Sequence, residues 1–280
     1  MIFDKKFLSL LLLTLFLGAA LFFHFNVLQK VERKILGVGI STQQTEKPSE
    51  IISEGRTKVK YPQDYTIVLL GDSMTEVLGN SDELRAYLKK YYPEQSFEVL
   101  NYGFGSTNIL SAQERLEYET FYGRTFRPIL DIAFDLILIE SFGHNPLSQF
   151  PLEEGLKKQT SALDKMVETI TRVNPSAKII FVATIAPHKS QYGQGKVDLS
   201  QEQRTRWVEE RIAYIQNHIS YANSHHIPLI NIYQKSLNND QDGKLDYISS
   251  IDFIHPSPNG VYFISEEIAK FIFKNQILTP

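Results

Sequence analysis

The sequence predicts an α/β fold: a three-layer α/β/α sandwich on a mainly parallel sheet, preceded by an N-terminal transmembrane helix. Three observations carry this. Five short apolar runs rich in Val and Ile, at 66–70, 97–100, 134–139, 178–183 and 228–232, do not alternate with polar residues, as expected of strands covered on both faces. Helix-like stretches at 81–92, 152–173 and 201–226 separate them, and another at 261–274 closes the chain. A long apolar segment stands near the N-terminus.

That segment carries no charge from Phe7 to Phe23, follows Lys5 and Lys6, and continues to Leu28. It approaches the ~20 residues that cross a bilayer as a helix. A signal peptide cleaved near Gly18-Ala19-Ala20 is the alternative, against which the apolar run continues through Leu21, Phe22 and Phe23. Lys30, Arg33 and Lys34 follow, so flanking charge does not set the orientation. The expected organisation is a short segment 1–6, a single-pass anchor at 7–28, a polar stalk at 29–60 and a globular domain at 61–280 held outside the cytoplasm.

Within the domain, the helix at 81–92 opens with Ser81, Asp82 and Glu83, a capping residue followed by acids in the first turn. In the stretch 201–226, Trp207, Val208, Ile212, Ile215 and Ile219 form an apolar stripe. The 280 residues are 42% hydrophobic, enough for one sizeable core. A net charge of −3 gives no electrostatic footprint for nucleic acid. The absence of cysteine excludes disulfides, thiolate metal sites and cysteine nucleophiles.

The unusual residues fall where the strands end, which is where ligands bind in sheets of this type. The first strand runs into "GDSMT", Gly71 to Thr75. Ser73 or Asp72 there is either a helix cap or, for Ser73, a nucleophile presented at a helix N-terminus, where unpaired N–H groups gather. The second strand leads into "NYGFGSTN", Asn101 to Asn108, which lacks the third glycine of a dinucleotide fingerprint. Its loop is an ordinary connection or one that aims the N–H of Gly105 or Ser106 at a bound oxygen. The third strand leads to "GHN", where Asn145 either forms a turn or donates its amide to an oxyanion. Near the C-terminus, "DFIHP" puts Asp252 three residues before His255, so one loop can hold an oriented imidazole.

In this order the four segments resemble the signature blocks of the SGNH (GDSL-like) hydrolases over roughly residues 61–280. The resemblance implies a flavodoxin-like SGNH fold and a serine esterase working through an acyl-serine intermediate without a cofactor or metal. It assigns Ser73 as nucleophile, His255 as base and then acid, and Asp252 as its orienting partner. The oxyanion hole would comprise the Ser73 N–H, the block II N–H at Gly105 and the Asn145 side chain. Two departures stand out: Ser106 occupies a position where the family usually has glycine, and Pro146 replaces a frequent acid after the asparagine. The expected partners are an acyl ester on a small molecule, glycan or lipid, with O-acetyl or lipid esters foremost, and the membrane through the N-terminal helix. An acyltransferase of the same fold and a non-catalytic glycan-binding module are the alternatives.

Other groups carry less. His144 reads as structural or substrate-facing rather than as the base. His218, His225 and His226 share helical spacing but lack acidic partners, so solvent exposure is expected of them rather than metal binding. Glu153-Glu154 and Glu209-Glu210 read as helix surface. The polar loop holding Tyr192-Gly193-Gln194-Gly195 reads as a surface loop or a flap over the site.

Overall fold

The computed structural model describes residues 57–279. The expected anchor at 7–28 lies outside the described residues, as does most of the stalk. Among the described residues no helix is long and apolar enough to cross a membrane. The last residues of the expected stalk pack onto the domain: Val59 bridges to Ile132, and Lys58 Nζ donates to the Val173 carbonyl at 2.8 Å. Residues just before 61 therefore belong to the packed domain.

The central sheet has five strands, all parallel, β1 (Tyr65–Gly71), β2 (Phe97–Gly103), β5 (Leu136–Glu140), β6 (Lys178–Ala183) and β7 (Leu229–Asn231). Their spatial order is β2-β1-β5-β6-β7, the doubly wound arrangement in which the order of strand addition reverses between β1 and β5. A small antiparallel hairpin, β3 (Thr120–Tyr122) and β4 (Arg124–Phe126), stands apart from this sheet.

Alternate residues of β1 enter different apolar layers, as strand geometry requires. Ile67 and Leu69 face a layer closed by Leu84 and Leu88 of α2 (Asp82–Tyr91) and by Ile264, Ile268 and Ile272 of α7 (Pro258–Lys274). Val68 and Leu70 face the opposite layer, closed by Ala112 of α3 (Ile109–Glu117) and by Ala162, Met166 and Ile170 of α4 (Leu152–Val173). Burial on both faces explains why the strands read as continuous apolar runs. The helix at 201–226 is α5 (Gln201–Ser224), started by a capping box in which Ser200 and Gln203 bond each other's backbone N–H groups, and the single turn α6 (Ile232–Lys235) follows β7.

Some elements depart from the sequence reading. β2 continues to Gly103, because Gly71 and Gly103 are register partners and the two strands end together. α7 begins at Pro258 with Ser257 as its cap, since proline suits a first helical turn. The helix α3 and the hairpin were not anticipated. His218 is fully buried and stacks on Phe181 at 4.4 Å, contrary to the exposure expected of it, because that face of α5 lies against the sheet. His225 and His226 are exposed, as expected. Tyr192 is also buried, so the polar loop around it is pinned to the domain.

Candidate active site

The crevice at the switch point is built first by a turn that only small residues permit. Gly71 ends β1, and a Cβ there would lie 1.9 Å from Thr75 Oγ1. Gly103 must also stay bare, because a Cβ would approach the Glu76 nitrogen to 2.3 Å. Both glycines thus let the short helix α1 (Ser73–Glu76) sit directly on the strand ends. Asp72 caps α1 by accepting the Met74 N–H at 2.8 Å, and Ser73 follows at the first helical position, half-buried. The cap role weighed for Ser73 therefore belongs to Asp72.

Asp252 and His255 form a closed pair: His255 Nδ1–H donates to Asp252 Oδ2 at 2.7 Å. Asp252 Oδ1 also accepts the backbone N–H groups of Ile254 and His255, at 2.9 and 3.1 Å. Burial pushes the Asp252 carboxyl up, but these bonds outweigh it and hold the group at about 2. The same side-chain bond raises His255, against the effect of burial. The carboxylates of Asp72 and Glu76, which bracket Ser73 in sequence, add to that rise. Among the described residues no hydrogen bond within 3.5 Å joins the Ser73 hydroxyl to His255. Such contacts in unliganded enzymes often tighten only with substrate.

Asn145 comes from the loop after β5. Its amide donates to Asp72 Oδ2 at 2.9 Å, which uses one of its two N–H bonds and fixes the side chain beside α1. Pro146 packs inside next to the fully buried Leu147. The block II loop differs from expectation. The Gly105 N–H donates to the Tyr122 hydroxyl at 3.0 Å, and Tyr122 in turn donates to Glu76 Oε1 at 2.9 Å. Gly105 is therefore already committed. Ser106 has φ +58°, the left-handed conformation that favours the glycine usual in the family. Among the described residues, the backbone N–H groups of Ser73 and Ser106 have no hydrogen-bond partner.

Beneath Ser73 lies a buried charged cluster that the sequence did not single out as one. Glu140 Oε1 accepts from the Ser141 hydroxyl and the Phe142 N–H, and Oε2 accepts from the Asp72 N–H at 3.2 Å. Burial, then the neighbouring Asp72 charge and the bond between the two carboxyl groups, raise Glu140 well above the ordinary range. Burial raises Asp72 too, against donors from Asn145 and Met74. Two carboxyls so close and dry resist ionising together, and the rise is the larger at Glu140. Arg115, also buried, gives its guanidinium to the Gly71 and Tyr102 carbonyls and to Thr107, not to either acid. Loss of water lowers it to about 9.

His144 is held apart from the chemistry. Its Nε2–H donates to the Ile185 carbonyl at 3.2 Å, so Nδ1 accepts from the Tyr192 hydroxyl at 3.0 Å. The Tyr192 oxygen accepts from Arg211 Nε at 2.9 Å. This one-way chain leaves no place for a second proton, and burial lowers His144 to about 3. Arg204 grips the Tyr192 carbonyl as well, which completes the anchoring of that loop. Among the described residues no cluster of three His, Asp or Glu side chains is placed to hold a metal.

The fold recurs in solved structures. The lipase/acylhydrolase from Enterococcus faecalis matches with a TM-score of 0.55 at 16% identity, over 75% of this chain and 96% of that one. A GDSL-like lipase from Bacteroides thetaiotaomicron matches at 0.51 with 13% identity, over 76% and 89%. An acetyl xylan esterase matches at 0.52 with 13% identity, over 73% and 98%. A search of curated protein sequences gave no match. At such identities these likenesses concern the fold alone. The sequence profile described as the GDSL-like lipase/acylhydrolase family, however, matches residues 69–261, from the strand that ends at Gly71 to the first turn of α7. With both the Gly-Asp-Ser turn and the Asp-x-x-His loop inside that span, the chain belongs to the GDSL-like lipase/acylhydrolase family.

Proposed function

We propose that the protein is a serine esterase that cleaves acyl esters through an acyl-serine intermediate. The observation that supports this reading is the closed Asp252–His255 pair, whose Nδ1–H bond leaves Nε2 as the unprotonated nitrogen. Ser73 Oγ attacks the ester carbonyl carbon while its proton passes to His255 Nε2. The tetrahedral oxyanion is received by the Ser73 and Ser106 N–H groups and the second N–H of Asn145. His255 then protonates the departing alkoxide, and water, deprotonated by the same nitrogen, releases the acid and restores Ser73. Ser106 replaces Gly105 as the block II donor, since the Gly105 N–H is spent on Tyr122.

The test is hydrolysis of aryl acetate and longer aryl esters by the wild type and Ser73→Ala. The expected result is turnover lost in a variant that melts like the wild type; undiminished turnover would remove Ser73 from the mechanism. The apolar segment at 7–28 supports a further part of the reading, that an N-terminal anchor holds the domain at the outer face of a membrane. Fractionation with protease accessibility tests it: the chain is expected in the membrane fraction with the domain cleavable from outside. A freely soluble mature protein would contradict the anchor.

A further inference from the structure

Two spaces flank α1, and they differ in kind. On the sheet side, the apolar gap between Met74, Leu138 and Ile268 amounts to about 30 Å³, room for a water-sized group and not for a chain. On the other side a cleft of about 470 Å³ runs along the free edge of β2, with the β3–β4 hairpin as its far wall. Glu76 lines it and lies one helical turn along α1 from Ser73.

The cleft's lining has a particular chemistry. Two carboxylates, Glu76 and Glu98, stand with two guanidiniums, Arg124 and Arg85, the latter also paired with Asp82 at 2.6 Å, and Tyr122 and Phe126 lie beside them. The aromatic wall is rigid: Tyr122 stacks on the buried Phe104 at 4.6 Å, and Phe126 meets the same ring edge-on at 4.7 Å. An acyl chain placed here would strip water from four charged side chains without replacing their hydrogen bonds. A strongly anionic group would face Glu76 and Glu98. A neutral group with many hydroxyls meets both acceptors and donors, with apolar ring surface between them.

We propose that this cleft is the subsite for the alcohol half of the ester, and that this half is an uncharged, polyhydroxylated group such as a neutral glycan. The assignment rests on the serine-esterase reading for the position of the ester, but not for the binding itself. It also accounts for the hairpin, since Tyr122 closes the head of the cleft while fixing Gly105 and hence the neighbouring Ser106 N–H.

The experiment measures binding of O-acetylated cellotriose to the Ser73→Ala variant, alone and combined with Arg124→Ala or Glu98→Gln. Labelling of the wild type by a serine-directed phosphonate runs in parallel. Arg124 is exposed and, among the described residues, stacks on Phe126, so its removal is expected to leave the melting temperature nearly unchanged. Saturable binding, weakened about tenfold by either second substitution, is the expected result, with the phosphonate labelling Ser73 of the wild type. No binding, or binding indifferent to both substitutions, would overturn the subsite even where the phosphonate labels Ser73. Tighter binding of an anionic glycan acetate than of the neutral one would overturn the assigned ligand class. Absence of label alongside intact glycan binding would overturn the esterase reading and leave the cleft assignment standing.

Discussion

Asp252 and Asp72 both act on His255, yet the protein treats the two carboxyl groups in opposite ways. Asp252 sits on a half-open loop, takes three hydrogen bonds and is held at about 2, ionised across the working range. Asp72 is fully buried beside a second acid, and burial pushes it up. The difference is one of water and donors. A carboxylate meant to steady an imidazolium needs its charge; one meant to hold a turn and an amide needs geometry.

That contrast can be broken in order of effect. Replacing Asp252 with Asn leaves the shape but removes the acceptor that sets the His255 tautomer, so kcat is expected to fall by roughly 10³–10⁴-fold. Its pH profile carries a second sign. His255 must be neutral to accept the Ser73 proton and is raised, so wild-type kcat/KM should rise with pH through a value above the usual ~6.5 and then level off. In Asp252→Asn the residual activity should rise at lower pH. An unmoved acid limb would mean another group titrates.

Next is Asn145→Ala, expected to cost about 10²–10³-fold in kcat with little change in KM, as for loss of one oxyanion donor. A pure KM effect would mean that the amide only holds Asp72. The Glu140 pair of variants sharpens the contrast itself. Glu140→Gln keeps a neutral group with a donor, so activity within a few-fold and an unchanged pH profile are expected. Glu140→Ala abandons the buried Asp72 and Phe142 N–H groups, at about 1–3 kcal/mol for a group so left, and should lower the melting temperature by several degrees. A Gln variant as damaged as the Ala variant would show that Glu140 works ionised.

The smallest effect is on stability against pH. Asp252, depressed to about 2, contributes stability that is present above ~4 and lost as pH falls through about 2. His255, raised, contributes stability that is full below its ordinary value and lost as pH rises through its folded one. Asp252→Asn should therefore cost more melting temperature at pH 5 than at pH 9. Equal losses would mean the pair adds no charge-dependent stability.

The two acidic centres also differ in how they read from sequence. Asp252 and His255 are three residues apart in one loop, so their pairing was legible as spacing. The strands were legible too, because burial on both faces leaves an unbroken apolar run. Glu140 and Asp72 each stand out at a strand end, but they come from separate elements and meet only when β1 and β5 pair, so no local pattern announces their pairing. The hairpin carrying Tyr122 has strands of three residues, too short for a periodicity, though Gly123 at φ +68° marks its turn. The His218 face of α5 was misjudged because a histidine interrupts a stripe otherwise read from Ile and Val. Arg204 and Arg211 lie buried on the same helix for a similar reason: their partner, Tyr192, belongs to a loop whose inward turn depends on the whole fold.

The most direct measurement is covalent: residues 57–280 treated with a serine-directed phosphonate, digested and mapped by mass spectrometry. The expected adduct is on Ser73, abolished by His255→Ala and retained in Glu140→Gln. No adduct on folded protein, or one on Ser73 that survives removal of His255, would contradict an activated serine driven by the Asp252–His255 pair.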